Sequence, residues 1–164
     1  MVVLKRGNGE MGTGTRIGVI SDTHGLLRPE ALAALDGCHH IIHAGDVGKP
    51  EILAALQALA PVHAIAGNID NTPWAAQLPE TLDLLIDGVR LHVLHDLKTL
   101  APGVAADIVI SGHSHKPSIQ TRDGVLYINP GSAGPRRFRL PISVATLWLG
   151  NGPPRAALQV FEPH

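Results

Sequence analysis

Short apolar runs, each cut off by a polar cluster, recur along this chain and constrain its fold more than any other feature. Ile17 to Ile20 is rich in β-branched residues and stops at Ser21-Asp22-Thr23-His24-Gly25. Pro29 then opens an Ala/Leu stretch that ends near Gly37, the pattern of a helix with proline in its first turn and glycine past its last. Ile41-Ile42 is the next run, ending at Ala44-Gly45-Asp46, and Pro50 to Ala60 is a second helix with Ile52, Leu53, Leu56 and Leu59 at helical spacing. Val62 to Ala66 follows and ends at Gly67-Asn68-Ile69-Asp70. Strand and helix alternating in this way predict an α/β fold with buried parallel strands.

The second half changes character. Leu82 to Ile86 and Val89 to Leu94 flank Asp87-Gly88, and Ile119 to Thr121 and Val125 to Ile128 flank Asp123-Gly124. Asp-Gly pairs between apolar runs are strong hairpin signals. Ile142 to Leu149 and Ala156 to Phe161 flank a Gly/Pro-rich turn and form a third hairpin, while Ile108 to Ile110 is a short buried run before Ser111-Gly112-His113-Ser114-His115. Two mixed sheets face to face with helices outside would bury all of these strands. Residues 1–15, with four glycines and no apolar period, read as a disordered leader, and 16–164 as a single domain, as a length of 164 suggests.

Composition narrows the function. At 45% hydrophobic and 16% charged the chain is too apolar for disorder, and no run reaches the ~18 apolar residues of a membrane span. Thirteen Lys plus Arg against fourteen Asp plus Glu leave no broad basic surface, and five aromatic residues are too few for a row of stacking platforms. Nucleic-acid binding is not expected. One cysteine, Cys38, and no apolar segment after Lys5 and Arg6 argue against an internal disulfide and a secretory signal, so the expected location is cytoplasmic. Cys38 itself reads as a small buried residue.

Four of the ten histidines are placed, not scattered. Polar clusters at the ends of apolar runs hold Asp22 and His24, then Asp46, Asn68, His95 with Asp96, and His113 with His115. Carboxyl ends of strands in α/β sheets form the crevice where ligands bind, so side chains far apart in sequence can meet there. Each of Asp22, Asp46 and Asn68 alone would serve as a helix cap or Asx turn, but capping gives no reason for four histidines at the same ends. Gly45, Gly67 and Gly112 precede Asp46, Asn68 and His113, as close backbone packing requires. Three oxygen donors and four imidazoles are too many for one tetrahedral site and, lacking thiolate, suit two first-row ions such as Mn, Fe, Co, Ni or Zn. His43 reads either as a support for Asp46 or as a satisfied core histidine, and His39 and His40 as a solvated loop before the strand.

The ordered set Asp22-x-His24, Gly45-Asp46, Gly67-Asn68, His95 and Gly112-His113-x-His115 resembles the calcineurin-like metallophosphoesterase superfamily. With Gly67-Asn68-Ile69-Asp70 and Asn129-Pro130-Gly131-Ser132 it is most similar to the small YfcE-like bacterial and archaeal phosphodiesterases of that superfamily. The resemblance implies a four-layer αββα sandwich and a dinuclear site, with Asp22, His24, Asp46 and His115 on one ion, Asp46, Asn68, His95 and His113 on the other, and Asp46 as the bridge. It implies two divalent ions, manganese first, with Ni, Co, Fe or Zn as alternatives, and Asp46, Asn68 and His95 as the catalytic residues. The implied reaction is hydrolysis of a small phosphodiester by a metal-bridging hydroxide; a phosphomonoesterase is an alternative. A homo-oligomer is among what the subgroup implies.

Two positions depart from the family pattern. Ile69 stands where larger members carry a histidine that helps protonate the leaving group, which implies a preference for good leaving groups. Asp96 stands where glycine is common. Arg136, Arg137 and Arg139 read as a solvated rim or as contacts to substrate phosphate. A second class of function is a non-catalytic scaffold like the retromer subunit of this fold, which has Asn in place of the first ligand histidine. His24 and the complete ligand set favour the enzyme. A nuclease would need the extra histidine and a DNA-binding region.

Overall fold

The apolar runs become strands in the computed structural model, which describes residues 1–4 and 14–161. In chain order these are β1 (Val2–Val3), β2 (Thr15–Ile20), α1 (Pro29–Leu35), β3 (His40–His43), α2 (Pro50–Gln57) and β4 (Val62–Ala64). The hairpin β5 (Thr81–Ile86) and β6 (Val89–Leu94) follows, then β7 (Ile108–Ile110), the hairpin β8 (Ser118–Arg122) and β9 (Val125–Asn129), and the hairpin β10 (Ile142–Leu149) and β11 (Arg155–Phe161). Asp87-Gly88 and Asp123-Gly124 all have positive φ, 51°, 75°, 52° and 77°, as a type I′ turn requires.

Two sheets result. One has the order β11-β10-β2-β3-β4, the other β1-β5-β6-β7-β9-β8. The parallel strands β2, β3 and β4 carry the first three polar clusters at one edge, and β10 extends the sheet by pairing antiparallel with β2, Ala145 opposite Val19. Between the sheets Ile17, Val19 and Ile42 meet Leu84, Leu91 and Ile108, all at most 1% exposed. Burying each such side chain contributes roughly 1.5–3 kcal/mol. The opposite face of β2 and β3 presents Ile20 and Ile41 to Leu35 of α1 and to Ile52 and Leu56 of α2.

The expected sandwich forms with helical layers of unequal weight. Among the described residues both α-helices pack on the β2–β3 side. The crossover between β6 and β7, residues 95–107, holds only the 3-10 turn Leu97–Thr99. Pro102 and Gly103 follow within four residues, and neither sustains a helix. The expectation of a disordered leader over 1–15 needs correction at both ends. Val2–Val3 pair in parallel with β5, Leu4 is buried in the core between the sheets, and Thr15 opens β2. A two-residue strand leaves no periodicity to read. Residues 5–13 lie outside the described residues, as does His164.

Candidate metal centre

The strand ends of both sheets converge. His24 Nε2 lies 3.8 Å from Asp22 Oδ1 and 3.4 Å from Asp46 Oδ2; His95 Nε2 lies 3.8 Å and 3.2 Å from the same two atoms. His115 Nε2 is 3.5 Å from Asp22 Oδ1. Six of the residues read from sequence thus form two groups, Asp22 with His24 and His115, and Asp46 with His95 and His113, the ligand atoms of each within 4.8 Å of one another. Asp46 Oδ2 faces a histidine of each group, the position of a bridge. Asn68 is exposed on the loop after β4, one residue before Ile69, whose N–H donates to Asp46 Oδ1.

Each carboxylate is anchored by one oxygen and leaves the other to the site. Asp22 Oδ2 accepts from Ser21 Oγ at 2.7 Å and from the His113 N–H at 3.0 Å, while its Oδ1 has no hydrogen-bond partner. His95 is fixed in the same manner: Nδ1 donates to the Ala44 carbonyl at 2.8 Å, so Nε2 is the unprotonated nitrogen aimed at the cluster. Gly67 and Gly112 permit these approaches, since a Cβ on Gly67 would run into Asp46 and one on Gly112 into the Ser21 hydroxyl. The backbone is bent to the same end. Asp22, His24, Asp46, His113 and His115 have φ of 56°, 46°, 57°, 70° and 62°, the left-handed region that side-chain-bearing residues enter at a cost.

Buried polar atoms ordinarily find partners, yet Asp22 Oδ1, His24 Nε2, His95 Nε2 and His115 Nδ1 are buried without one. Donors bound to one ion at ~2.0–2.2 Å lie roughly 3–3.6 Å from each other. Three of the five separations, 3.2, 3.4 and 3.5 Å, fall within that spacing, and the other two, at 3.8 Å, lie just beyond it. The residues therefore fit a pair of divalent ions with mixed nitrogen and oxygen donors.

Burial alone would raise the Asp46 carboxyl, but the His95 contact, the Ile69 N–H and the charges of His95 and His24 bring it down to about 2. Burial opposes protonation of His95, and the Asp46 contact, the Ala44 carbonyl and the Asp22 charge overcome it, so its pKa is raised. His115 moves down through burial, and Arg137 is near enough to add to that.

Other expectations resolve as follows. His43 is fully buried, and burial holds its pKa at about 4. Its Nδ1 accepts from the Gly45 N–H, so its Nε2 donates to Thr23 Oγ1, which donates to the Val47 carbonyl. It is a satisfied core histidine that ties the Asp22 and Asp46 loops together. Of His39 and His40, expected in a solvated loop, His39 lies half-buried in the bend before β3, whereas His40 is in the strand itself. The His39 ring accepts from the Arg16 N–H, and His40 lies buried in β3 against His63, because β3 begins one residue earlier than its apolar run. Cys38 is buried, its thiol pKa pushed up by that burial. Asp96 caps the 3-10 turn by accepting from the Lys98 N–H and stands 3.8 Å from His113 Nε2. Arg136, Arg137 and Arg139 are exposed.

Sequence reasoning overlooked Asp70 as a structural clamp. One buried carboxylate accepts from the N–H groups of Val47, Gly48 and Gly67, locking the loop after β3 to the loop after β4. The available signal was a carboxylate three residues past a glycine at a strand end, which also describes an ordinary turn.

Two sheets with adjoining Asp/His groups at their strand ends define a domain built to hold a pair of divalent ions at an open edge. The chain belongs to the calcineurin-like phosphoesterase superfamily, whose domain matches residues 15–152. It is 37% identical over 131 residues to a probable metallophosphoesterase of Methanothermobacter thermautotrophicus, covering 71% of this chain and 76% of that one. Its fold is similar to that of an archaeal phosphodiesterase, with TM-score 0.74, 22% identity, and 88% and 99% of the two chains covered. Zinc-complexed Vps29 of Entamoeba histolytica has the same fold, with TM-score 0.71, 21% identity, and 90% and 99% covered. Among the described residues no helix is long and apolar enough to cross a membrane.

Proposed function

We propose that this protein is a metal-dependent phosphodiesterase acting on small phosphodiesters, with Asp22, His24, Asp46, Asn68, His95, His113 and His115 holding two divalent ions, manganese first among the candidates. The observation that carries the reading is the pair of adjoining Asp/His groups, four of whose polar atoms are buried without a partner in the protein. Ions bound there supply charge neutralisation for a phosphate and a more acidic water for in-line displacement. The chain's own residues hold the donors in place. Asp46 stays ionised near neutral pH, Ser21 and the His113 N–H keep Asp22 oriented, and the Ala44 carbonyl fixes the His95 tautomer. Ile69 brings no leaving-group acid, which supports a preference for esters with good leaving groups. The name of the archaeal fold relative supports a diester over a monoester. A near-neutral chain supports a small-molecule substrate over nucleic acid, and a cytoplasmic location and a homo-oligomer are part of the proposal.

The test is hydrolysis of bis(p-nitrophenyl) phosphate and p-nitrophenyl phosphate by chelator-stripped protein, with Mn, Ni, Co, Zn or Mg restored singly. Metal-dependent turnover faster on the diester, and lost in Asp46→Asn, is the expected result. Two ions bound with no turnover on either ester would favour a scaffold of the Vps29 kind.

A further inference from the structure

The thin helical layer over the second sheet leaves a feature that the metal centre does not use. A cavity of about 650 Å³ opens beside His113 on the outward face of β8 and β9, roofed by the 3-10 turn Leu97–Thr99. That volume lies within the ~300–1,000 Å³ of small-ligand pockets. Its floor follows from strand alternation: Ser118, Gln120 and Arg122 share one face of β8 and stand opposite Asn129, Tyr127 and Val125 of β9. At ~3.3 Å per residue the floor runs roughly 13 Å from Ser118 to Arg122.

Charge in this trough is one-sided. Lys98, Lys116 and Arg122 line it against a single carboxylate, Asp96, which already accepts from the Lys98 N–H and faces His113. None of the three cations makes an ion pair among the described residues. Arg122 is nonetheless held: its guanidinium lies 4.4 Å from the centroid of the Tyr127 ring. Stacking of that kind positions the group while leaving its N–H edge open to an oxyanion. The end of the trough nearest the ions is hydroxyl- and amide-lined, with Asn129 donating to the Gly112 carbonyl and Ser114 Oγ.

We infer that the trough is a subsite for one arm of the substrate, an arm of about nucleoside size that carries a second anionic group toward the cations lining it, Lys98, Lys116 and Arg122. The inference rests on the phosphodiesterase reading for what sits at the ions, and it narrows the substrate class to diesters with a further negative charge beyond the scissile phosphate. A neutral arm would leave three cations facing only water.

The experiment compares thymidine 3′-(p-nitrophenyl phosphate) with and without a 5′-phosphate, together with calorimetric titration of thymidine 3′,5′-bisphosphate into the metal-loaded protein. The 5′-phosphate is expected to raise kcat/KM about tenfold, the equivalent of ~1.4 kcal/mol. Arg122→Ala and Lys116→Ala should each lower that ratio and weaken bisphosphate binding, while Arg155→Ala, whose side chain lies over Trp148 on the other sheet, should alter neither. Equal kcat/KM for the two esters, or bisphosphate affinity indifferent to Arg122 and Lys116, overturns the subsite and leaves the phosphodiesterase standing. Absence of hydrolysis with every ion, with bisphosphate affinity still dependent on Arg122 and Lys116, removes the phosphodiesterase and supports the trough as an anion site.

Discussion

At the scale of single residues, the centre is organised by anchoring one atom of each side chain and leaving another free. Ser21 shows how much rests on a group that touches no ion: its hydroxyl donates to Asp22 Oδ2, which directs Oδ1 inward. Ser21→Ala is expected to lose roughly 10–100-fold in metal affinity or activity, the usual effect of removing such a support. Metal content after dialysis and kcat on bis(p-nitrophenyl) phosphate measure it, and unchanged values would show that the His113 N–H alone suffices. Left-handed backbone is a second residue-scale feature, and Phe138 displays it away from the cluster. With φ of 53° and 94% exposure it has the strain without compensating burial. Phe138→Gly is therefore expected to raise stability by about 0.5–1 kcal/mol, read as a higher Tm.

At the scale of elements, the reverse substitution tests the hairpins. Gly124 has φ of +77° and open space where a Cβ would go, so Gly124→Ala isolates the conformational cost of the β8–β9 turn. A loss of about 1 kcal/mol in chemical denaturation is expected, and no loss would mean that the turn relaxes to another type. These hairpins were legible in the sequence because Asp-Gly is a local signal, and the ligand clusters were legible because each follows an apolar run. What was not legible depends on tertiary contact. β1 is two residues long and exists only because β5 has an open edge. His40 read as part of a loop, yet it lies in β3 and sheet pairing places its ring against that of His63, His40 Nδ1 at 3.1 Å from His63 Nε2. The crossover after β6 has a composition that permits a turn or a helix, and Pro102-Gly103 decides for the turn. In the candidate site the six Asp and His residues that the structure brings together were found by position, whereas Asp70 was not, since its role depends on where two other loops lie.

At the scale of the whole molecule, stability depends on pH through the histidines buried away from the metal centre. Burial, with His40 beside it, lowers His63 from 6.5 to about 4. Between those values the unfolded chain binds a proton that the folded chain does not, so stability rises with pH there. Stability present above pH 6.5 is lost as pH falls toward 4. In chelator, Tm should fall over that window, and His63→Gln should flatten the fall; an identical slope in the variant would place the effect elsewhere. The pairing of β2 with β10 has a temporal meaning as well. Val19 and its partner Ala145 are separated by most of the chain. At roughly 5–20 residues per second of synthesis, β2 waits on the order of 6–25 s for β10 to emerge. During that interval one edge of β2 has no partner strand, and its backbone N–H and C=O groups are left for a chaperone or another nascent chain to pair with. The strand that begins the candidate metal centre is thus among the first made and the last to gain its second neighbour, so slower translation is expected to raise the insoluble fraction of this chain.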